Sequence, residues 1–212
     1  MPARVKICGL TRPEDVERAI LAGADYLGFI VETPSKRRLG IAEAARLAGP
    51  AKGIVPRVAV TVNASDAQIA QIMTEMDPDF IQFHGDETPA RLTDIAEKHR
   101  VKTIKAVPIA GPDDVRRAGT FRGACDLILY DAKPPAGAPR GGHGLAFDWM
   151  LLAYSPLPKV FALAGGLNPD NAPEAIKRTK APILDVSSGV EHAPGLKDPA
   201  KIKAFMKAAR HG

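Results

Sequence analysis

The sequence predicts a single (β/α)8 barrel, and two observations lead to that fold class. Short runs rich in β-branched residues alternate with amphipathic stretches eight times along the 212 residues. Such repeated strand–helix units require parallel strands, and eight of them close most naturally into a barrel with its helices outside. Because no linker is long enough to divide the chain, residues 1–212 are expected to form one domain.

Eight strands are predicted from the apolar runs. They cover residues 5–8, 26–31, 57–62, 80–83, 103–107, 127–130, 160–164 and 183–186. An open doubly wound sheet is the alternative architecture. It would more often carry a GxGxxG turn after its first strand, and the sequence that follows here, CGLT, is not such a turn.

Four segments between the strands carry signals of a helix N-terminus. Thr11 with Glu14 and Ser65 with Gln68 have the spacing of a capping box, in which side chain and backbone bond reciprocally. Two further starts, Asn168-Pro169 and Asp198-Pro199, place a capping side chain directly before a proline. These four starts support the alternation of strands and helices.

Composition restricts the partners and the location of the protein. The net charge is +5, only one basic triplet occurs, and aromatic residues make up 5% of the chain. This pattern favours a small anionic partner over nucleic acid, which usually needs a basic stripe with interleaved aromatics. No apolar run approaches the roughly 20 residues of a membrane helix, and the first residues lack a secretory signal. We therefore expect a cytoplasmic protein with no membrane partner.

The two cysteines and the histidines do not predict a metal site or a disulfide. Cys8 and Cys125 have no CxxC spacing and are expected at opposite rims of the barrel, too far apart to be bridged. Cys125 is expected to be a small buried apolar residue. His84 has no HxH or HxxxH partner, so we expect no metal.

Polar residues stand where the predicted strands end, which is where barrels carry their chemistry. They are Cys8, His84, Asp131, Gly165-Gly166 and the segment from Asp185 to Gly189. Alternation along each strand places Lys6 on the face of Cys8, and Gln82 on the face of His84. Because a lysine or glutamine cannot easily lie under a covering helix, this face is expected to line the barrel lumen.

Each of these residues has a structural and a chemical interpretation. Cys8 is either a buried apolar side chain or a base, and the ammonium of Lys6 on the same face would favour its thiolate. Asp131 either caps or pairs locally, or it acts as a proton donor because it is removed from water. Arg37 is either a solvated loop residue or a planar fork for a carboxylate.

Glycine-rich segments end the last two strands. Gly165 and Gly166 could simply make a strand-to-helix turn, but Ser187, Ser188 and Gly189 end the neighbouring strand. Barrels commonly bind phosphate at these two strand ends through backbone N–H groups. Together the segments predict a phosphate site.

The strand ends and the loops beside them carry a series of short motifs. They are KICGLT at 6–11, GF at 28–29, SKR at 35–37, QFHGDE at 82–87, DAK at 131–133, GGHG at 141–144, FDW at 147–149, AGGLNP at 164–169 and DVSSGVE at 185–191. In this order and at these positions, the motifs resemble those of the phosphoribosylanthranilate isomerase family along nearly the whole chain.

The resemblance implies a cofactor-free Amadori rearrangement of N-(5-phosphoribosyl)anthranilate in tryptophan biosynthesis. It implies that Cys8 is the general base and Asp131 the general acid, and that Arg37 contacts the substrate carboxylate. It also implies that the segments at Gly166 and at Ser188-Gly189 hold the phosphate. His84 and Asp185 match further polar residues of the same pocket. The expected partner is a small phosphorylated anion, and the chain is expected to be a monomer or a homodimer.

Three positions depart from the family pattern. Glu32 places an acid near an anionic substrate, and His143 and Leu145 stand where a Thr and a Lys are usual in a glycine loop. The Pro/Gly-rich stretch 133–144 is expected to be a loop over the mouth of the barrel.

Other functions compete with this one. A histidine-pathway isomerase performs the same rearrangement on a larger nucleotide precursor, but that family uses a carboxylate as its base. A non-catalytic sensor of an aryl or sugar phosphate would need the phosphate site and Arg37, but not the thiol and the acid. Nucleic-acid binding is a third possibility.

Overall fold

A computed structural model describes residues 2–133, 147–153 and 155–211. Its centre is a closed barrel of eight parallel strands, each hydrogen-bonded to two neighbours. The barrel strands are β1 (Arg4–Cys8), β2 (Tyr26–Val31), β3 (Arg57–Thr61), β4 (Phe80–Phe83), β5 (Lys102–Ile109), β6 (Leu127–Ala132), β7 (Ala162–Leu163) and β8 (Ile183–Val186). The predicted (β/α)8 barrel is therefore confirmed.

Helices follow the strands and cover the outside of the barrel. Within the described ranges they are α1 (Pro13–Leu21), α2 (Ile41–Ala48), α3 (Asp66–Glu75), α4 (Pro89–His99), α5 (Pro112–Ala118), α6 (Met150–Ala153), α7 (Ala172–Thr179) and α8 (Pro199–His211). No helix in the described part of the chain is long and apolar enough to cross a membrane.

Most strand boundaries agree with the sequence, and the differences lie near the mouth. Strands β5 and β6 run two residues further than predicted, so Asp131 lies within β6. The predicted strand 160–164 is reduced to Ala162–Leu163, although the Ala164 N–H still donates to the Tyr130 carbonyl at 2.8 Å.

Two short strand pairs were not predicted. The segment Arg38–Leu39 pairs in parallel with the end of β2. After β8, Glu191–Ala193 and Leu196–Lys197 form an antiparallel hairpin, which we call the β8 hairpin.

The barrel has two separate apolar layers. The larger layer lies between the strands and the helices. The lumen holds a smaller cluster, which contains Cys8, Tyr26, Val58, Val60, Ile104, Ala106, Leu127, Leu129, Ala162, Ala164 and Ile183. Lys6, Gln82 and Asp185 are buried on the same strand faces. The prediction that the polar strand face lines the lumen is thus confirmed.

Two of the four predicted helix starts are confirmed. Ser65 and Gln68 form a reciprocal capping box at the start of α3. Asp198 accepts hydrogen bonds from the backbone N–H groups of Ala200 at 2.8 Å and Lys201 at 3.2 Å, at the start of α8. Both side chains satisfy N–H groups that have no partner within the helix.

The other two starts were wrong for different reasons: the Thr11 side chain has another partner, and the Asn168 side chain caps a turn that ends before α7 begins. The Thr11 hydroxyl donates to the Gly195 carbonyl at 2.6 Å, and α1 begins at Pro13 without a side-chain cap. Asn168 accepts from the N–H groups of Asp170 and Asn171 in a turn that precedes α7. Helix α7 itself begins only at Ala172.

The capping box of α3 allows a direct test. Replacing Ser65 by Ala should lower the free energy of unfolding by about 1 kcal/mol, because the Gln68 N–H loses its acceptor. Thr74→Ala in the same helix is the control. Thr74 is exposed, and among the described residues its hydroxyl bonds only to the Ala70 carbonyl of its own helix. Urea denaturation of both variants measures the difference, and equal effects would contradict the assignment.

Candidate active site

The polar residues of the strand ends meet at the carboxyl-terminal mouth of the barrel. Cys8 ends β1, Asp185 lies on the adjacent β8, Asp131 on β6, and His84 follows β4. Cys8 is 7% exposed, and Asp131 and Asp185 are each 8% exposed. Parallel strands close the barrel in one direction, so these four side chains share one end of the lumen.

A buried ion pair lies beside the Cys8 thiol. The Lys6 ammonium donates to both carboxylate oxygens of Asp185 at 3.1 Å, across the directly paired positions of β1 and β8. Burial lowers the pKa of Lys6, but the nearby acidic groups, above all the Asp185 carboxylate, outweigh it, so the net pKa is raised and the ammonium stays charged. The sequence analysis named both residues but did not predict their pairing, which strand parity and barrel closure would have indicated.

The ionisation of Cys8 corrects one sequence-based expectation. Burial raises the pKa of the Cys8 thiol, whereas the nearby Lys6 ammonium lowers it by less, so the net pKa is raised. The expected effect of Lys6 is present, but removal of the thiol from water is the stronger effect. The thiol form of Cys8 therefore predominates at neutral pH in the unliganded protein.

Gly28 makes room for this arrangement on the neighbouring strand. It pairs directly with Cys8, and a Cβ atom at this position would lie 2.8 Å from Cys8 Sγ and 3.0 Å from Lys6 Nζ. Any side chain here would displace the thiol or the ammonium. The absence of a side chain at this position therefore lets the Cys8 thiol and the Lys6 ammonium lie side by side against β2.

Asp131 contacts His84 across the mouth. Oδ2 of Asp131 lies 3.1 Å from His84 Nε2, and Oδ1 accepts the N–H of Ala132 at 2.8 Å. Nδ1 of His84 lies 3.4 Å from the Gln82 side-chain nitrogen. The local pairing considered for Asp131 is therefore present, and it leaves the carboxyl group at the lumen.

Asp185 connects the thiol to the acid. It interacts electrostatically with Asp131 and His84 on one side, and with Cys8 on the other. Burial is the largest influence on Asp185 and raises its pKa, and the nearby Asp131 raises it further. Cys8 and Asp131 thus belong to one electrostatic network.

Arg37 is buried, so the interpretation as a solvated loop residue is wrong. It is 7% exposed, and its Nε and Nη2 donate to the two carboxylate oxygens of Glu191 at 2.7 and 2.6 Å. Glu191 occupies the Nε side of the guanidinium, and no other described residue hydrogen-bonds to the edge between Nη1 and Nη2, which has the geometry to bind a second carboxylate. The partnership with Glu191, 154 positions away, was not predicted.

The two glycine-rich segments lie against each other. Gly165 and Gly166 have φ of 86° and 64°, which glycine adopts without strain. A Cβ atom at Gly189 would collide with the Leu167 carbonyl. Ser187, Ser188 and Gly189 are partly exposed and lead through the 3-10 turn Ser188–Val190 into the β8 hairpin. Exposed N–H groups in such a concave turn can hold a phosphate.

Another buried ion pair supports the loop that carries His84, and the sequence analysis missed it. Lys105 Nζ donates to Glu87 at 2.8 Å and to the Gly85 carbonyl at 2.6 Å. Glu87 in turn accepts the backbone N–H groups of Asn63 and Gly85 at 2.7 and 2.9 Å. This network fixes the backbone directly after His84.

The remaining predicted residues lie away from this network. Glu32, at φ 48°, pairs with Arg38 at 2.6 Å, so its negative charge is balanced by a neighbour. Cys125 is a free thiol just before β6, at the opposite end of the barrel from Cys8; it packs against the core but is only partly buried, so the expectation of a buried residue is corrected. His143, Leu145 and the glycine loop 141–144 lie outside the described residues. In the described part of the chain, no three His, Cys, Asp or Glu side chains form a metal-binding group.

Comparison with known proteins gives one consistent result. The sequence model of a family described as N-(5'phosphoribosyl)anthranilate (PRA) isomerase matches residues 5–208. An N-(5'-phosphoribosyl)anthranilate isomerase from Parvibaculum lavamentivorans is 46% identical over 213 residues, covering 99% of each chain.

Solved structures agree with the sequence relatives. The phosphoribosyl anthranilate isomerase of Thermotoga maritima is 39% identical, covers 98% of each chain and superposes with a TM-score of 0.88. A second structure is a phosphoribosyl anthranilate isomerase in complex with reduced 1-(o-carboxyphenylamino)-1-deoxyribulose 5-phosphate. It is 36% identical, covers 98% of each chain and has a TM-score of 0.84.

The burial of Cys8 predicts how its thiol titrates. Because burial raises the pKa of Cys8 in the folded protein, thiolate formation should require a higher pH than in the same chain unfolded in urea. The measurement is the Cβ chemical shift of ¹³C-labelled cysteine against pH, in a Cys125→Ser variant that leaves one signal. A folded-state midpoint at or below the unfolded one would contradict the account.

Proposed function

The chain belongs to the N-(5'-phosphoribosyl)anthranilate isomerase family, and we propose that it isomerises N-(5-phosphoribosyl)anthranilate with Cys8 as general base and Asp131 as general acid. The product is 1-(2-carboxyphenylamino)-1-deoxyribulose 5-phosphate, in tryptophan biosynthesis. The observation that carries the assignment of roles is that Cys8 and Asp131 both lie, nearly buried, at the carboxyl-terminal end of one barrel lumen.

Asp131 performs the first proton transfer in this proposal. The protonated carboxyl group gives its proton to the furanose ring oxygen, the bond between that oxygen and C1 breaks, and the nitrogen lone pair forms an iminium. The carboxylate left behind is negatively charged. His84 Nε2, 3.1 Å from Oδ2, is placed to donate a hydrogen bond to that charge.

Cys8 performs the second transfer. Its thiolate takes the proton from C2 of the sugar, and the electrons of that C–H bond form a C1–C2 double bond while the iminium π pair returns to nitrogen. The resulting enol takes a proton at C1 and loses one from its hydroxyl group, so the protons of the substrate balance. Proton exchange with water then returns Cys8 to the thiolate and Asp131 to the acid, which closes the cycle. Lys6, next to Cys8, stabilises the thiolate that this step requires.

Substrate binding is assigned to groups on both sides of Cys8 and Asp131. The free edge of the Arg37 guanidinium holds the anthranilate carboxylate. The backbone of Gly165, Gly166, Ser187, Ser188 and Gly189 holds the phosphate. Asp185 lines the lumen between the two catalytic groups and keeps Lys6 in place. No cofactor takes part in this reaction scheme.

The residue that ends β1 favours this reaction over that of the histidine-pathway isomerase, whose base is a carboxylate. Competition kinetics with both substrates distinguishes the two activities. The partner is a small phosphorylated anion, and we propose that the chain acts in the cytoplasm as a monomer or a homodimer.

The assigned roles predict the effects of two substitutions. Cys8→Ala and Asp131→Asn should each lower kcat by roughly 10²–10⁴-fold, the usual contribution of a positioned proton transfer. The fluorescence change of the substrate measures turnover, and circular dichroism checks that the barrel is folded. Cys125→Ala is the matched control and should retain parental turnover.

Two results would contradict the proposal. Parental turnover in both variants would remove Cys8 and Asp131 from the mechanism. Tight binding of the product by a parent protein that catalyses no fluorescence change would indicate a sensor instead.

A further inference from the structure

We propose that Glu191 and Lys197 of the β8 hairpin are positioning residues that join Arg37 to Ser187, and so fix the spacing between the carboxylate and phosphate sites. The inference rests on the proposed function, because it takes Arg37 as the carboxylate site and Ser187–Gly189 as part of the phosphate site. It adds two residues, neither of which touches the reacting atoms.

Glu191 holds the Arg37 side chain in one orientation. Both of its carboxylate oxygens accept from the guanidinium, at 2.7 and 2.6 Å, and the two side chains are 4% and 8% exposed. Burial raises the pKa of Glu191, but Arg37 and Lys197 lower it by more, so the carboxylate is charged. A long arginine side chain otherwise loses considerable rotamer freedom when it binds a ligand, and this pairing removes that freedom in advance.

Lys197 extends the contact to the phosphate segment. Its side chain is fully buried, and Nζ donates to Glu191 Oε1 at 2.8 Å, to the Ser187 carbonyl at 3.1 Å and to the Ser187 hydroxyl at 3.4 Å. One ammonium therefore contacts the residue that orients Arg37 and the first residue of the phosphate segment.

The hairpin that carries both residues is itself anchored. The Lys197 backbone N–H donates to the buried Asp15 carboxylate at 3.1 Å, and Lys201 Nζ donates to the Glu191 carbonyl at 2.8 Å. Gly9, at φ 71°, lies between the two sites, where there is no room for a side chain. A Cβ there would lie 2.5 Å from Arg37 Cδ and 2.9 Å from Ser187 Oγ. Arg37 and Ser187 are therefore both packed against Gly9 and the β8 hairpin.

This arrangement selects a ligand that carries an aryl carboxylate and a sugar phosphate at a fixed separation. The direction in which binding changes when the Glu191 charge is removed distinguishes a positioning role from a purely electrostatic one. Removing a negative charge beside Arg37 should strengthen the binding of an anion if only long-range attraction matters. It should weaken binding if the role of Glu191 is to orient the guanidinium.

The test compares Glu191→Gln with the parent on two substrates, phosphoribosylanthranilate and N-(5-phosphoribosyl)aniline, which lacks the carboxylate. We expect KM for the carboxylated substrate to rise about tenfold, with kcat changed less than threefold, as for loss of binding shared by ground and transition states. KM for the aniline compound should change less than twofold. Glu174→Gln, which removes an exposed partner of Arg178, is the control and should leave both KM values at the parental level.

A second variant and a second measurement keep the inference testable if Glu191→Gln does not fold. Glu191→Asp keeps the charge but shortens the reach, and it should also raise KM for the carboxylated substrate only. Calorimetric binding of the reduced product to the same variants should give the same order without any turnover. After Arg37→Lys, the substitution at Glu191 should have little further effect on binding.

An unchanged or lower KM for the carboxylated substrate, or an equal rise for both substrates, would overturn the inference. Turnover by the parent protein tests the proposed function separately. If the parent catalyses the rearrangement and the Glu191 variants behave like it, the inference fails and the proposed function stands. If the parent shows no turnover, the proposed function fails.

Discussion

The buried ion pair between Lys6 and Asp185 is the interaction on which the rest of the site depends. It connects the first and last barrel strands at the level where the lumen changes from apolar to polar. A charge removed from water is strongly unfavourable unless it is paired, and breaking such a pair typically costs about 3–5 kcal/mol. Lys6 and Asp185 can therefore remain charged beside the Cys8 thiol only because each satisfies the other.

The same low-polarity surroundings act on the proposed base. Burial opposes the Cys8 thiolate and Lys6 supports it, so the thiol is largely protonated in the unliganded protein, and the minor thiolate form is the one that acts as the base. Electrostatic interactions within a site that excludes water are stronger than in solution, so small displacements of Lys6 or Asp185 have large effects. Gly28 belongs to this arrangement because its missing side chain lets β2 approach the thiol and the ammonium.

The sequence predicted the barrel and most of its mouth because both follow from local patterns. Strand–helix alternation indicated the fold, and strand parity placed Lys6, Cys8 and Asp131 on the lumen side. Pairings between distant residues need more than local patterns. The Lys6–Asp185 pair, separated by 179 positions, follows only when strand parity is combined with barrel closure, and the Arg37–Glu191 pair, separated by 154, follows from neither.

The errors have the same origin. Thr11 and Asn168 have the residue types of helix caps, but Thr11 bonds to the distant Gly195, and Asn168 caps a turn rather than the first turn of α7. The Lys105–Glu87 pair was missed because Lys105 alternates with the lumen-facing Ile104 and Ala106, on the outer face of β5, where a buried lysine was not expected. The β8 hairpin was missed because charged residues after a strand usually indicate solvent exposure, and Glu191 and Lys197 are buried.

The most direct test of the account is a crystal structure of this protein with the reduced form of its product, 1-(2-carboxyphenylamino)-1-deoxyribulose 5-phosphate. The account predicts that Cys8 Sγ and an Asp131 carboxylate oxygen both approach the sugar portion to within about 3.5 Å, from different sides of the ligand. A ligand bound in the lumen with either group facing away from the sugar would contradict it.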